Sequence, residues 1–206
     1  MTIDMHVNLS RRAFAIGAAS AAAGLTIGFR WASAQGTQAG PPVPPMIKNN
    51  PQLDAWVRVA PDGSVTVMTG RVELGQGILT AMRQVAGEEL DVAPARLTLI
   101  SGDTAQTPDE GVTAGSLAVK LGSTALGLAC ADARATLVGV AAKAWGVEPQ
   151  AIKVEDGTMS GPAGQRMGYG EAAAKISLSR PVDVTAKRKS PATHRIIMNS
   201  ISRPLR

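Results

Sequence analysis

Three features of this 206-residue chain predict an α+β fold. Short runs of alternating apolar and polar residues precede residue 70. Apolar residues then recur every three or four positions over 78–90 and 121–145, and short alternating runs return after residue 150. β-hairpins and short strands should therefore pack on two main helices. Apolar residues make up 45% of the chain and aromatics only 3%, so the core has to be built from Ala, Val, Leu, Ile and Met.

Residues 1–34 read as a signal peptide. "SRRAF" (Ser10 to Phe14) leads into an Ala/Gly-rich apolar run that ends at Phe29, and "ASAQ" offers a small-residue cleavage site after Ala34. The paired arginines ahead of Phe14 resemble the twin-arginine type, which implies a periplasmic destination. The run is short and weakly hydrophobic for ~30 Å of hydrocarbon. An uncleaved anchor that leaves the protein membrane-associated is the alternative. Residues 35–51, "QGTQAGPPVPPMIKNNP", form a Pro/Gly-rich linker expected to be extended.

The domain proper is expected over 52–180. "AWVRVAPDGSVTVMTG" alternates on both sides of a Pro-Asp-Gly-Ser turn, which predicts a hairpin. Ile78, Met82, Val85, Ala86 and Leu90 predict a helix, and "ARLTLIS" a further strand. Leu121, Ala125, Leu128, Ala131, Ala135, Val138, Ala142 and Trp145 predict a long helix, with Ser123 as N-cap, Gly146 as stop and Pro149 beyond. Residues 151–177 then read as a strand, an Asp-Gly turn, a second short strand and a short helix.

The charge balance is uneven. From Lys175 to Arg206 there are eight basic residues and one acidic, whereas residues 35–174 carry ten basic and fourteen acidic. Residues 181–206 thus make a basic tail, either solvated or docked on a larger partner. It has no interleaved aromatics and belongs to an exported chain, which argues against nucleic acid as a partner. Cys130 is the only cysteine, so neither an internal disulfide nor a cysteine-ligated metal cluster can form. It is expected to be a small buried apolar residue.

One stretch asks for a ligand. In "GRVELGQGILT" (Gly70 to Thr80), Gln76 stands between Gly75 and Gly77 at a strand-to-helix junction. The glycines let a ligand touch backbone, the helix start offers unpaired N–H groups, and the amide donates and accepts without adding charge. Such a place suits an anionic group. "GQG" lacks the spacing of a dinucleotide or P-loop motif, and these residues fit equally a tight connection with an exposed glutamine. Arg71 and Glu73 read as surface charges. A second small-residue loop, "GVTAGS" (Gly111 to Ser116), precedes the long helix. It could face the first loop or be unrelated to it.

The blocks "GRVELGQGILTAMRQVAGEELDV", "TAGSLAVKLGSTALGLACADARATLVGVAAKAWGV" and "VEDGTMSGPAGQRMGYGEAA" occur in the order seen in molybdenum hydroxylases of the xanthine dehydrogenase family. The chain resembles the N-terminal segment of the large subunit in the isoquinoline and nicotinate oxidoreductase branch, over most of residues 50–205. The resemblance implies a partial cofactor-binding domain that holds molybdopterin, in the cytosine dinucleotide form. Gly75, Gln76 and Gly77 match one cofactor-binding motif, and Thr113, Ala114, Gly115 and Ser116 match a second.

It also implies hydroxylation of N-heterocycles or aldehydes. The implied partners are the remainder of the large subunit or a second large-subunit chain, a small [2Fe-2S] subunit, and a cytochrome c subunit. The chain departs from the pattern in length and in lacking the segment that carries the family's base glutamate. No catalytic residue is therefore carried over to it, Glu73 included, and turnover is expected to need further polypeptide. A non-enzymatic exported interaction module, or a degenerate fragment that keeps the fold, is the competing expectation.

Overall fold

The structure, a computed structural model, describes residues 43–194. They belong to a compact unit spanning Gly40–Arg206. The expected signal peptide and the start of the linker lie outside the described residues.

A short helix, α1 (Pro45–Asn49), opens this region inside the stretch expected to be extended. Proline suits a first helical turn because its missing N–H would be unpaired there anyway. Ile47, 2% exposed, gives the helix an apolar side chain to bury. The hairpin forms as expected from β1 (Val57–Val59) and β2 (Val65–Thr69), with Val57 opposite Val67 and Val59 opposite Val65. Gly63 takes a φ of +85° at its turn, a conformation that costs glycine no side-chain clash.

Helix α2 (Ile78–Leu90) follows, with Ile78, Met82, Ala86 and Leu90 turned inward. It leads to β3 (Leu97–Ser101), which lies beside β2 and parallel to it, from Val65 opposite Leu97 to Thr69 opposite Ser101. The sheet order is β1-β2-β3. β2 is therefore central, and Val65, Val67, Met68 and Thr69 are all buried, as expected of a strand covered on both faces.

A π-helical turn (Ala118–Gly122) runs straight into α3 (Ser123–Trp145). Ser123 is consequently inside a continuous helix, and the expectation that it caps the N-terminus is overturned: Gly122 and Ser123 are both already helical. The stop is as expected, since Gly146 has a φ of +65° and its N–H bonds to Ala142. Burial extends well beyond the predicted stripe. Leu126, Ala129, Ala133, Leu137 and Ala141 are fully buried outside it, whereas Ala135 is exposed. By length and hydropathy this helix could cross a membrane, but 72% of the qualifying window is buried within the protein, so it is the core helix.

A second sheet, β4 (Lys153–Glu155), β5 (Thr158–Ser160) and β6 (Arg166–Gly168), is antiparallel throughout. Asp156 and Gly157 both adopt positive φ, which fits a tight turn between twisted strands. Its third strand, unforeseen in the sequence, leads into α4 (Tyr169–Ala173). Residues 180–189 are docked rather than free. Val182 N donates to Pro51 O at 2.8 Å, Arg180 pairs with the nearly buried Asp132 at 2.7 Å, Arg188 with Glu89 at 2.7 Å, and Lys189 with Asp91. Three of the cations expected in or beside a solvated or partner-docking tail thus bind this chain's own carboxylates.

Candidate functional site

The parallel pairing of β2 with β3 decides where the site lies. Their carboxyl ends, Thr69 and Ser101, are adjacent, so the loops 70–77 and 102–117 leave the same edge of the sheet. That edge is the usual ligand position in sheets with parallel strands. The two small-residue loops picked out from the sequence do meet. Gln76, Gly77, Thr113, Ala114, Gly115 and Ser116 line one open cavity of about 310 Å³, together with Ile78, Ala81, Ala118 and Val119. Gly75 stands beside it with a φ of +94°, and no heavy atom lies within 4 Å of where a Cβ would stand at Gly75, Gly77 or Gly115. Backbone is exposed there to whatever enters.

The loops are tied to each other directly. Val72 N donates to Thr113 Oγ1 at 3.0 Å. Further back, Asn50 fastens the second loop by donating to Asp109 O at 2.7 Å and accepting from Asp109 N at 3.0 Å.

Gln76 is turned back onto its own loop. Its Nε2 donates to Val72 O at 3.0 Å and its Oε1 accepts from Leu74 N at 2.5 Å. The amide thus braces the loop, and one Nε2 hydrogen remains for a ligand. The approach to the helix start is partly covered as well. Glu73 folds over them and accepts from Gly75 N at 2.8 Å, Gly77 N at 2.9 Å and Leu79 N at 3.2 Å. The Gly77 and Leu79 N–H groups hold its carboxyl below the usual carboxylate range. The expectation of open N–H groups at this helix start is corrected in part: a carboxylate of the same chain takes the N–H of Leu79 and those of the two glycines ahead of the helix. Glu73 is exposed, as read from the sequence, but it is a cap and not an idle charge.

Arg71 is the clearest correction. It reads as a surface charge, yet it is 1% exposed and lies 3.3 Å from Glu110 Oε1. Glu110, itself 2% exposed, carries no signal in the polar run "TPDEG". Only burial reveals it, and burial of a charge is a property of the fold.

Five of the seven large apolar side chains exposed among the described residues belong to the segments that form this cavity: Val72, Leu74, Val112, Leu117 and Val119. Leu74 is 78% and Val112 82% exposed. Exposed apolar side chains are thus concentrated on the two segments that form the cavity, and Val119 is in its wall.

The family profile described as "Molybdopterin cofactor-binding domain" matches residues 6–196. The chain belongs to this family. Among its relatives, a component of nicotinate dehydrogenase from Pseudomonas putida is 33% identical over 63% of the chain and 11% of its own length. The beta chain of isoquinoline 1-oxidoreductase from Brevundimonas diminuta is 29% identical over 86% of the chain and 23% of its own length. Among solved structures, CO dehydrogenase from Oligotropha carboxidovorans matches with a TM-score of 0.51 at 22% identity, over 64% of the chain and 17% of that chain, which is a likeness of fold. The chain spans less than a quarter of the length of these proteins.

The residues present fit the cofactor in part. Two loops of small residues offer open backbone around the cavity, and the cavity is a recess that a bound group could enter. Glu73 already engages the N–H groups of Gly75, Gly77 and Leu79. No cluster of three or more His, Cys, Asp or Glu able to hold a metal exists among the described residues. Cys130 is fully buried, and burial pushes its thiol pKa upward.

Proposed function

We propose that this chain supplies one wall of the molybdopterin site of a molybdenum hydroxylase. The cofactor would be in its cytosine dinucleotide form, and the holoprotein would hydroxylate N-heterocycles or aldehydes. The observation that carries the reading is the meeting of Gln76–Gly77 and Thr113–Ser116 across one cavity. When bound, the cofactor supplies the redox chemistry of hydroxylation. The chain's own contribution is to present backbone at Gly75, Gly77 and Gly115, to hold the remaining Gln76 donor in place, and to wall off one side of the site.

No residue here is assigned the base. The exposed apolar side chains on the two segments support a site completed by further polypeptide, either the remainder of a large subunit or a second large-subunit chain. Electrons would pass to a small [2Fe-2S] subunit and a cytochrome c subunit. On this reading the protein works in the periplasm after twin-arginine export. The same exposed side chains also favour a second reading, an exported interaction module without turnover.

Metal analysis separates the two. The chain is co-expressed with its completing polypeptides in a host that makes molybdenum cofactor, and molybdenum and released pterin are measured in the purified complex. Molybdenum that co-purifies, and that is lost in Gln76→Ala with unchanged circular dichroism, supports the cofactor reading. A stable complex that never carries molybdenum overturns it in favour of the interaction module.

A further inference from the structure

We propose that Arg71 and Glu110 are positioning residues: a buried clasp that sets the gap between the two loops and so the width of the cavity. The inference rests on the cofactor reading for its purpose, but its geometry stands apart from it. Residues 69–72 are stitched to residues 110–113 almost one for one. Glu110 Oε2 accepts from Thr69 Oγ1 at 2.5 Å and from Gly70 N at 2.8 Å. Glu110 Oε1 faces Arg71 Nε at 3.3 Å. Arg71 Nη1 donates to Val112 O at 2.8 Å, and Val72 N to Thr113 Oγ1 at 3.0 Å. Where β2 stops pairing with β3, side chains take over the joining of the two segments.

The surroundings are shaped to the pair. A Cβ at Gly122, in the π-helical turn, would stand 3.1 Å from both Arg71 Nε and Glu110 Oε1. That turn therefore lies against the clasp, and it also carries Ala118 and Val119 of the cavity wall. The pair does not line the cavity itself, so it acts through its neighbours. Arg71 is five residues from Gln76, and Glu110 is three from Thr113.

Stability alone does not account for two charges in this position. A buried ion pair often stabilises a fold no better than apolar side chains of similar volume, because desolvation offsets the attraction. Here Arg71 Nε and Nη2 and Glu110 Oε1 lack any hydrogen-bond partner among the described residues, which adds to that cost. What the pair provides is directionality at its two ends: the carboxylate accepts from the strand end, the guanidinium donates to a loop carbonyl, and their opposite charges hold the two together.

The test measures loop spacing in the full chain without cofactor. Leu74→Cys and Leu117→Cys, both at exposed positions, are spin-labelled, while buried Cys130 stays unlabelled. Pulsed EPR then gives the label-to-label distance distribution. In Glu110→Gln, which keeps the shape and removes the charge, the distribution should at least double in width. In Leu137→Ala, a core variant away from the clasp, it should not change. If Glu110→Gln does not fold, Arg71→Lys keeps the charge, loses the planar fork, and carries the same expectation. An unchanged distribution in the folded clasp variant overturns the proposal, as does equal widening in Leu137→Ala. Failure of the wild-type complex to carry molybdenum would instead overturn the cofactor reading and leave the clasp intact.

Discussion

Replacing Gly70 by alanine should be among the most damaging single-methyl additions in this fold. A Cβ at Gly70 would stand 2.4 Å from Pro108 O, 3.2 Å from Glu110 N and 3.3 Å from Glu110 Cβ. Contacts below 3.0 Å are essentially never tolerated, so the end of β2 and the facing loop must move apart by at least about 0.6 Å. The nearest atom is a backbone carbonyl, so no rotamer change relieves the clash. Overpacking of this kind costs about 1–3 kcal/mol. Moving the loops apart also stretches the bond from Gly70 N to the Glu110 carboxylate, a charge-assisted contact whose loss costs about 1.5–3 kcal/mol. A total destabilisation of about 2.5–6 kcal/mol is expected, a large share of the roughly 5–15 kcal/mol typical of a domain.

Gly139→Ala is the matched control. Gly139 lies within α3 with nothing within 4 Å of its would-be Cβ, so alanine there should stabilise by about 0.5–1 kcal/mol through helix propensity. Urea unfolding followed by far-ultraviolet circular dichroism measures both. The reasoning is refuted if Gly70→Ala falls within about 0.5 kcal/mol of wild type, the range of a surface substitution without consequence.

Other consequences follow from single contacts. Glu73→Gln should lower stability at pH 7 and have no effect in acid. The folded-state pKa of Glu73 is depressed, so its contribution is present above the ordinary value of 4.5 and is lost as pH falls through the folded value. Thermal melts of both proteins from neutral to strongly acidic pH check this, and a difference that persists in acid would contradict the cap. Gly127→Ala places a Cβ 2.6 Å from the Arg188 guanidinium. The arginine should swing out, leaving Glu89 buried with only the Lys189 N–H at 3.1 Å, a loss of about 1–3 kcal/mol. Trypsin cleavage near Lys187 and Arg188 should then speed up. Tyr169→Phe removes the buried bond to Leu90 O at 2.8 Å and should cost about 1–2 kcal/mol in urea unfolding. Cys130 should resist thiol reagents in mildly alkaline buffer in the folded chain and react once denaturant unfolds it, since its thiol is buried and its pKa raised.

Much of the architecture is legible along the chain because it depends on neighbours in sequence. The valines of the hairpin, the three-and-four spacing of Ile78 to Leu90, and Gly146 after the long helix all act over one or two turns of backbone. Helix α3 strains that logic. Its apolar residues read as a single stripe, but the helix is wrapped by the rest of the core, so the periodicity understates its burial. The strand Arg166–Gly168 leaves no mark in the sequence because three residues are too few to show alternation, and its ladder with β5 is what makes it a strand. The basic tail misleads for a related reason. A run of cations looks solvated until the fold brings Asp132, Glu89 and Asp91 beneath it.

The order of amino acids is enough to locate the turns, the helices and the small residues that could lie against a ligand. It does not reveal that β2 and β3 run parallel, and so that the Gln76 and Thr113 loops share one edge. Nor does it show Arg71 buried against Glu110, or Glu73 laid over the start of α2. Those features emerge when the chain packs. Turn and helix preferences are set by atoms a few bonds apart. Strand pairing and the burial of a charge are settled by groups distant in sequence, which no local pattern encodes.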